Sequence, residues 1–130
     1  MKIHRFEDIE AWQEARKLAK LIYELTTNQK FVKDFGLKEQ VRRAVISTMA
    51  NIAEGFNRSS RREFLQFLAY SLSSVSEVKS HLYIALDQKY LSDEQFQMVF
   101  GQAEKVSKMT TGFMKYLRTL TDNPINRQTD

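Results

Sequence analysis

The sequence predicts an all-α protein, an antiparallel up-down-up-down four-helix bundle with left-handed packing. Four long stretches place apolar residues alternately three and four positions apart, which is the spacing of one buried helix face. Only four glycines and one proline occur in 130 residues, so few positions interrupt a helix. The connections between the stretches are short, which favours antiparallel neighbours in one bundle. One domain is expected over 1–130, with its core at about 6–120.

The first helix is expected from about Asp8 to Thr27. Its buried stripe consists of small and aliphatic side chains at Ala11, Ala15, Leu18, Ile22 and Leu25. The opposite face is charged and is expected to meet solvent. It carries Glu10, Glu14, Lys17, Lys20 and Glu24.

The second helix is expected from about Leu37 to Gly55. Its inward side chains are Val41, Val45, Thr48 and Ile52. Gly55 is predicted to end the helix in the left-handed conformation that glycine adopts without strain, and Phe56 is predicted to fold back on Ala50 or Asn51.

Polar side chains also align on one side of two helices. The second helix has Arg43, Ser47, Asn51 and Glu54, and the third has Ser73, Glu77 and Ser80. If these lines meet inside the bundle or between subunits, a buried ion pair of Arg42 or Arg43 with Glu77 would fix the register of the helices. A solvated face explains the same spacing equally well.

The third and fourth helices each begin with the spacing of a capping box, at Ser60 with Glu63 and at Ser92 with Gln95. The third is expected to end near Lys89 and the fourth near Leu120. The third-helix stripe is Phe64, Leu68, Ser71, Val75, Val78, Leu82 and Ala85, and the fourth-helix stripe is Phe96, Val99, Ala103, Val106, Thr110, Phe113, Leu117 and Leu120. Residues 121–130 are expected to form a flexible tail.

These two helices also carry apolar residues beyond the stripes. They are Leu65, Leu72, Tyr83, Leu86 and Tyr90, and then Met98, Phe100, Met109, Met114 and Tyr116. One explanation is a wide core stripe with scattered surface side chains, which any protein has. The preferred explanation is a subunit interface, so a homo-oligomer is expected.

Composition excludes several kinds of function. There is no cysteine, so disulfides and thiolate metal sites are impossible. The N-terminus lacks the apolar segment of a signal peptide, and no stretch approaches the roughly 18 apolar residues of a membrane span, so a cytoplasmic protein without membrane contact is expected. Gly55 lacks the second glycine and the lysine of a phosphate-binding loop. With only His4 and His81, neither a metal site nor a catalytic residue is expected, nor a cofactor or small-molecule substrate.

The formal net charge of +4 is concentrated in one segment. Its six basic residues, against Glu39 and Glu54, are Lys38, Arg42, Arg43, Arg58, Arg61 and Arg62. Turn and cap chemistry explains Gly55, Ser60 and Glu63, whereas cations in the first turn of a helix oppose its dipole. The arginines are therefore candidates for phosphate binding, which Lys105, Lys108, Lys115 and Arg118 would extend. The alternative is solubility and surface ion pairing.

Several blocks of the chain resemble the family of 23S rRNA intervening-sequence proteins, also called S23 ribosomal proteins. The blocks are FEDIEAWQEARKLAKLIYELT, QVRRAVISTMANIAEGFNR and SSRREFLQFLAYSLSSVSEVKSHL, within about Phe6 to Leu120. The signature positions are Arg43, Ala44, Ser47, Asn51, Ile52, Ala53, Glu54, Gly55, Arg58, Phe64, Leu72 and Glu77. In place of the family's loop proline before the second helix, this chain has Asp34, Phe35 and Gly36.

This resemblance implies a compact four-helix subunit that assembles as a homopentamer with a central opening, and no established enzymatic activity. A similar bundle serves as the nucleic-acid-binding accessory factor of diversity-generating retroelements. The first hypothesis is therefore a non-enzymatic, oligomeric bundle that binds structured RNA, or DNA, through its basic loop. The second is a protein-interaction or scaffolding module, and an enzyme comes third. No aromatic residues alternate with the arginines, so contacts to backbone and shape are expected.

Overall fold

A computed structural model of the chain describes residues 2–120. The helices are α1 (Glu10–Leu25), α2 (Phe35–Phe56), α3 (Arg61–Asp87) and α4 (Asp93–Arg118), with short 3₁₀ turns at Phe6–Asp8 and Phe31–Lys33. There is no strand in this part of the chain, so the all-α prediction is confirmed. The predicted tail at 121–130 lies outside the described residues.

The four helices pack in a ring around one core. α1 contacts α2 and α4, and α3 contacts the same two helices. Contacts between α2 and α3 pair residues in opposite order along the chain: Gly55 lies against Phe64, and Ser47 is hydrogen-bonded by Ser74. These contacts agree with a four-helix bundle, while the left-handed packing stays a prediction.

The predicted core stripes are buried, whereas one residue of the charged face of α1 is buried against expectation. Every stripe residue named above is buried except Leu120, which is half-buried. Glu14 was expected to be exposed to solvent, yet only 8% of its surface is exposed. Its side chain lies on the side of α1 that contacts α4, where Gln102 Nε2 donates a hydrogen bond to its carboxylate at 2.9 Å. That prediction was wrong because a polar partner on α4 makes the position suitable for a carboxylate.

Gly55 has a different role from the predicted one. α2 continues through it to Phe56, and no described glycine has a positive φ. A Cβ at Gly55 would lie 2.8 Å from Phe64 Cδ1 and 3.0 Å from Phe67 Cβ. Glycine is therefore needed because α3 approaches too closely for any side chain. Phe56 likewise stays in the helix, and its ring packs edge-on to that of Phe64 with centroids 6.4 Å apart.

The polar lines of α2 and α3 meet only in part. Ser74 Oγ, rather than Ser73, donates to Ser47 Oγ at 2.9 Å, and Ser71 Oγ donates to Thr48 O at 2.8 Å. Inside the bundle, the suggested arginine pair with Glu77 is wrong, and such a pair between subunits stays a prediction. The Arg43 guanidinium lies 3.6 Å from Glu39, and Glu77 lies 3.6 Å from His81 Nε2, each within its own helix.

Both predicted serine caps are present. Ser92 Oγ accepts from Gln95 N–H and Gln95 Oε1 accepts from Ser92 N–H, which is a complete capping box. Ser60 Oγ accepts from Glu63 N–H at 3.2 Å and donates to the Glu63 carboxylate at 3.4 Å, so the second bond of the predicted box, from Ser60 N–H to that carboxylate, is not formed. The sequence therefore predicted the starts of α3 and α4 to within one residue.

The end of α3 offers a stability test. Lys89 has φ 62°, and the N–H groups of Tyr90 and Lys89 donate to Ala85 O and Leu86 O. This is a Schellman motif with lysine at the left-handed position, where glycine avoids the Cβ clash.

We expect Lys89→Gly to raise the free energy of unfolding by about 1 kcal/mol in urea titrations. Gln88→Gly, one residue earlier at φ −81°, is the control and should give no gain.

The apolar surplus of α3 and α4 is largely used within one subunit. Met114 is buried, and six further residues pack against the core: Leu65, Leu72, Leu86, Tyr90, Phe100 and Met109. Tyr83, Met98 and Tyr116 remain exposed. The surplus is therefore smaller than the spacing indicated, and self-association stays a prediction.

Candidate nucleic-acid interface

The basic residues of the segment from Lys38 to Arg62 lie at three different places in the fold. Arg42 and Arg43 lie in the first half of α2, Arg58 follows its end, and Arg61 and Arg62 begin α3. Between Arg42 and Arg58 the chain rises about four helical turns, roughly 24 Å. The five arginines of this segment therefore do not form one cluster in the structure.

Arg58 faces α2 and is held by its neighbours. Its guanidinium lies 2.8 Å from the Glu54 carboxylate and 4.6 Å from the ring centroid of Phe67. Phe67 is on the side of α3 that contacts Gly55. Arg58 thus joins the end of α2 to α3, and a structural role explains it without a ligand.

Arg61 and Arg62 lie on the other side of α3, beside α4. They line a groove with the end of α4, which we call the arginine groove. Its lining is Ser60, Arg61, Arg62, Leu65, Gln66, Ala69, Met114 and Arg118. Arg61 donates a hydrogen bond to Leu120 O, while Arg62 and Arg118 are exposed. Three guanidinium groups line the groove, and none of the other described lining residues is charged.

The basic residues of α4 do not gather at the groove. Lys105 Nζ lies 3.5 Å from the Glu14 carboxylate, so this candidate has a structural partner. Lys108 and Lys115 are exposed on α4. Of the four α4 residues expected to extend the basic surface, Arg118 is the one that lines the arginine groove.

Glu14 joins α1 to α4. Its carboxylate accepts from Gln102 Nε2 at 2.9 Å and from Lys17 Nζ at 3.1 Å, with Lys105 close by. The hydrogen bond from Gln102 and the two ammonium groups hold the pKa of this carboxyl below its ordinary value. The sequence signal for this cluster was weak, because Gln102 lies 88 residues away from Glu14.

Arg42 and Arg43 belong to a second basic surface, which we call the α1–α2 patch. It is lined by Tyr23, Phe35, Lys38, Glu39, Arg42, Arg43 and Ile46. The Arg42 guanidinium lies 4.3 Å from the ring centroid of Tyr23, and Lys38 Nζ lies 4.9 Å from that of Phe35. Aromatic rings therefore do alternate with cations here, contrary to expectation. The predicted start of the second helix at Leu37 left Phe35 outside the helix, whereas α2 begins at Phe35.

A hydrogen-bond network fixes the start of α2 beside this patch. Asp34 Oδ1 accepts from Leu37 N–H at 3.1 Å, and Tyr90 OH donates to Asp34 Oδ2 at 2.9 Å. That bond to a carboxylate raises the pKa of Tyr90. Asn28 Nδ2 donates to Tyr90 O at 2.9 Å and so connects the preceding loop to the end of α3.

The other signature residues of the sequence have structural partners. Asn51 Nδ2 donates to Ser47 O and Oγ, Glu54 pairs with Arg58, and Glu77 lies near His81. Within residues 2–120 there is no group of three or more histidine, cysteine, aspartate or glutamate side chains that could hold a metal ion. None of the helices in the same range has the length and apolarity of a membrane span.

Comparison with known proteins agrees with this architecture. A family model described as "23S rRNA-intervening sequence protein" matches residues 7–112. The chain belongs to this family. A crystal structure of a protein of unknown function from the S23 ribosomal protein family of Bacteroides thetaiotaomicron is also similar. It is 23% identical, with a TM-score of 0.74, over 81% of this chain and 98% of that one.

At that identity the structural likeness establishes the shared fold and no shared activity. No curated protein matches the chain. The family match confirms the resemblance seen in the sequence. The roles of the arginines and lysines have to be argued from the contacts described above.

Proposed function

We propose that this protein is a non-enzymatic, cytoplasmic bundle that binds structured RNA through the arginine groove. The supporting observation is the convergence of Arg61, Arg62 and Arg118 on one groove, with no acidic side chain among the described residues that line it. Guanidinium groups donate paired hydrogen bonds to phosphate oxygens, so three of them around one concave surface suit a polyanionic backbone.

Local energetics support a ligand at this groove. Arg61 and Arg62 lie in the first turn of α3, where the helix dipole disfavours a cation by about 0.3 to 1 kcal/mol. The cap at Ser60 forms without them. Leu65, Ala69 and Met114 are the apolar residues that line the groove. Such a groove contacts phosphates without reading bases, so binding is expected to depend on RNA shape and charge.

Self-association would multiply these contacts. A ring, pentameric by the family resemblance, repeats the arginine groove in each subunit, and linked weak contacts yield high overall affinity. Exposed Tyr83, Met98 and Tyr116 are available to such an interface. Light scattering measures the molar mass in solution and so gives the number of subunits. If the protein is a monomer, the multivalent part of the proposal is wrong.

The groove is tested by filter binding of a structured RNA hairpin at about 50 mM and about 200 mM salt. We expect Arg62→Ala/Arg118→Ala to lower affinity roughly tenfold or more at the lower salt. The slope of log affinity against log salt should fall by about 2, because two phosphate contacts are lost. Both side chains are exposed, so folding should be unaffected.

The matched control is Arg16→Ala/Lys20→Ala, which removes the same charge from exposed positions of α1. If both double variants weaken binding equally, net charge and not the groove is responsible. If the wild-type protein binds no RNA at the lower salt, the proposal fails and the protein-interaction alternative remains.

A further inference from the structure

The α1–α2 patch exposes more apolar surface than its position requires. Phe35 is 72% exposed, Ile46 50% and Tyr23 39%. Phe35 is the first residue of α2, and Asp34 before it already caps the helix. The start of the helix therefore does not require an aromatic residue at this position. Phe35 is thus the most exposed of the large apolar side chains in residues 2–120.

Cations surround these rings and are held near them. Arg42 Nε donates to Thr26 Oγ1 at 2.8 Å while its guanidinium lies over Tyr23, so part of its side-chain entropy is already lost before binding. Arg43 and Glu39 are both more than 70% exposed and 3.6 Å apart, a pair of little stability that a phosphate can replace. The patch has three cations and one carboxylate.

We propose that the α1–α2 patch binds unpaired nucleotides. One base stacks on the open face of Phe35, and Lys38, Arg42 and Arg43 contact the flanking phosphates. This rests on the proposed function, because the ligand is the same RNA, yet it uses a different face of the bundle. Single-stranded nucleic acids are bound in this way by grooves in which aromatic rings alternate with cations.

The geometry of Phe35 suits stacking. Lys38 Nζ lies over one face of the ring, and the high exposure of the residue leaves the other face open. A base placed there is flanked by cations one and two turns further along α2, at Lys38 and Arg42. The spacing of successive phosphates along an extended strand is comparable to one helical turn.

Charge favours a nucleotide over an apolar protein segment. Burying Phe35 and Ile46 against an apolar partner would also desolvate the three cations of the patch, for which Glu39 supplies one counter-charge. A polyanion supplies that counter-charge at every nucleotide. The ligand that satisfies both features of the patch has flat apolar rings on a negatively charged chain.

Fluorescence anisotropy with labelled oligouridylate of about 12 nucleotides and with a labelled RNA duplex tests this proposal. We expect Phe35→Ala to weaken binding of the single strand roughly 5- to 100-fold, because one stacked base is lost. Duplex binding should change less than about twofold, since it uses the arginine groove. Phe35→Trp should retain or strengthen single-strand binding, and Phe35→Leu, which keeps an apolar side chain without the aromatic face, should resemble Phe35→Ala.

The outcomes separate the two proposals. If Phe35→Ala binds the single strand as the wild type does, while Arg62→Ala/Arg118→Ala loses duplex affinity, the patch proposal is overturned and the groove stands. If Phe35→Ala loses single-strand affinity and the groove variant binds both RNAs normally, the patch is supported and the groove is wrong. If neither RNA binds, or an acidic peptide binds in a Phe35-dependent manner instead, unpaired nucleotides are not the ligand.

Discussion

Gly55→Ala is expected to lower the free energy of unfolding by about 2 kcal/mol. The added Cβ would lie 2.8 Å from Phe64 Cδ1, 3.0 Å from Phe67 Cβ and 3.2 Å from Phe64 O. Relief requires movement of the α3 backbone, because one of these atoms is a main-chain oxygen. This cost exceeds the gain of up to about 1 kcal/mol that alanine brings to a helix interior. Urea unfolding at fixed protein concentration measures it.

Two other helical glycines provide matched controls. Gly101 and Gly112 lie in α4, and a Cβ at either position meets nothing within 4 Å. Gly101→Ala and Gly112→Ala should therefore raise the free energy of unfolding by about 0.5 to 1 kcal/mol each. A result in which Gly55→Ala is stabilising like the controls would contradict the close approach of α2 and α3.

Glu14→Gln should lower the free energy of unfolding by about 1 to 3 kcal/mol at neutral pH. The change weakens hydrogen bonds between a buried charged acceptor and its donors, Gln102 and Lys17. The variant keeps the size of the side chain, so a cavity does not contribute. Chemical denaturation of both proteins measures the difference.

The loss should depend on pH in a defined direction. The pKa of Glu14 is lowered in the folded state from an ordinary 4.5, chiefly by Gln102 and then by Lys17 and Lys105. Its carboxylate therefore stabilises the fold above about pH 4.5, and this contribution disappears as pH falls through the folded pKa. Wild type and Glu14→Gln should converge in strong acid. Glu10→Gln, exposed on the same helix, is the control. A difference independent of pH would exclude the charge as its cause.

Local chemistry made much of the fold predictable. Ser60 and Ser92 mark the starts of α3 and α4 because side-chain caps depend on residues three positions apart. The core stripes, such as Leu18, Ile22 and Leu25, follow from helical periodicity alone. α2 begins at Phe35, two residues before the predicted start, and Asp34 is its cap.

Interactions between distant segments were not predictable in this way. Glu14 looked solvent-exposed because its partners Gln102 and Lys105 are on another helix. Gly55 looked like a helix end, although the reason for glycine is Phe64 on α3. The local pattern correctly predicted a helix at Glu14 and wrongly predicted a helix end at Gly55. At both positions the residue type is explained by side chains on another helix, which the local pattern does not reveal.

The sequence by itself determined four amphipathic helices, their order, most of their buried faces and the membership of the chain in its family. Only the tertiary structure decided that the basic segment divides between Arg58, the arginine groove and the α1–α2 patch. The physical reason is that helix periodicity acts over a few residues, whereas the grouping of charges depends on which helices pack together and at what height.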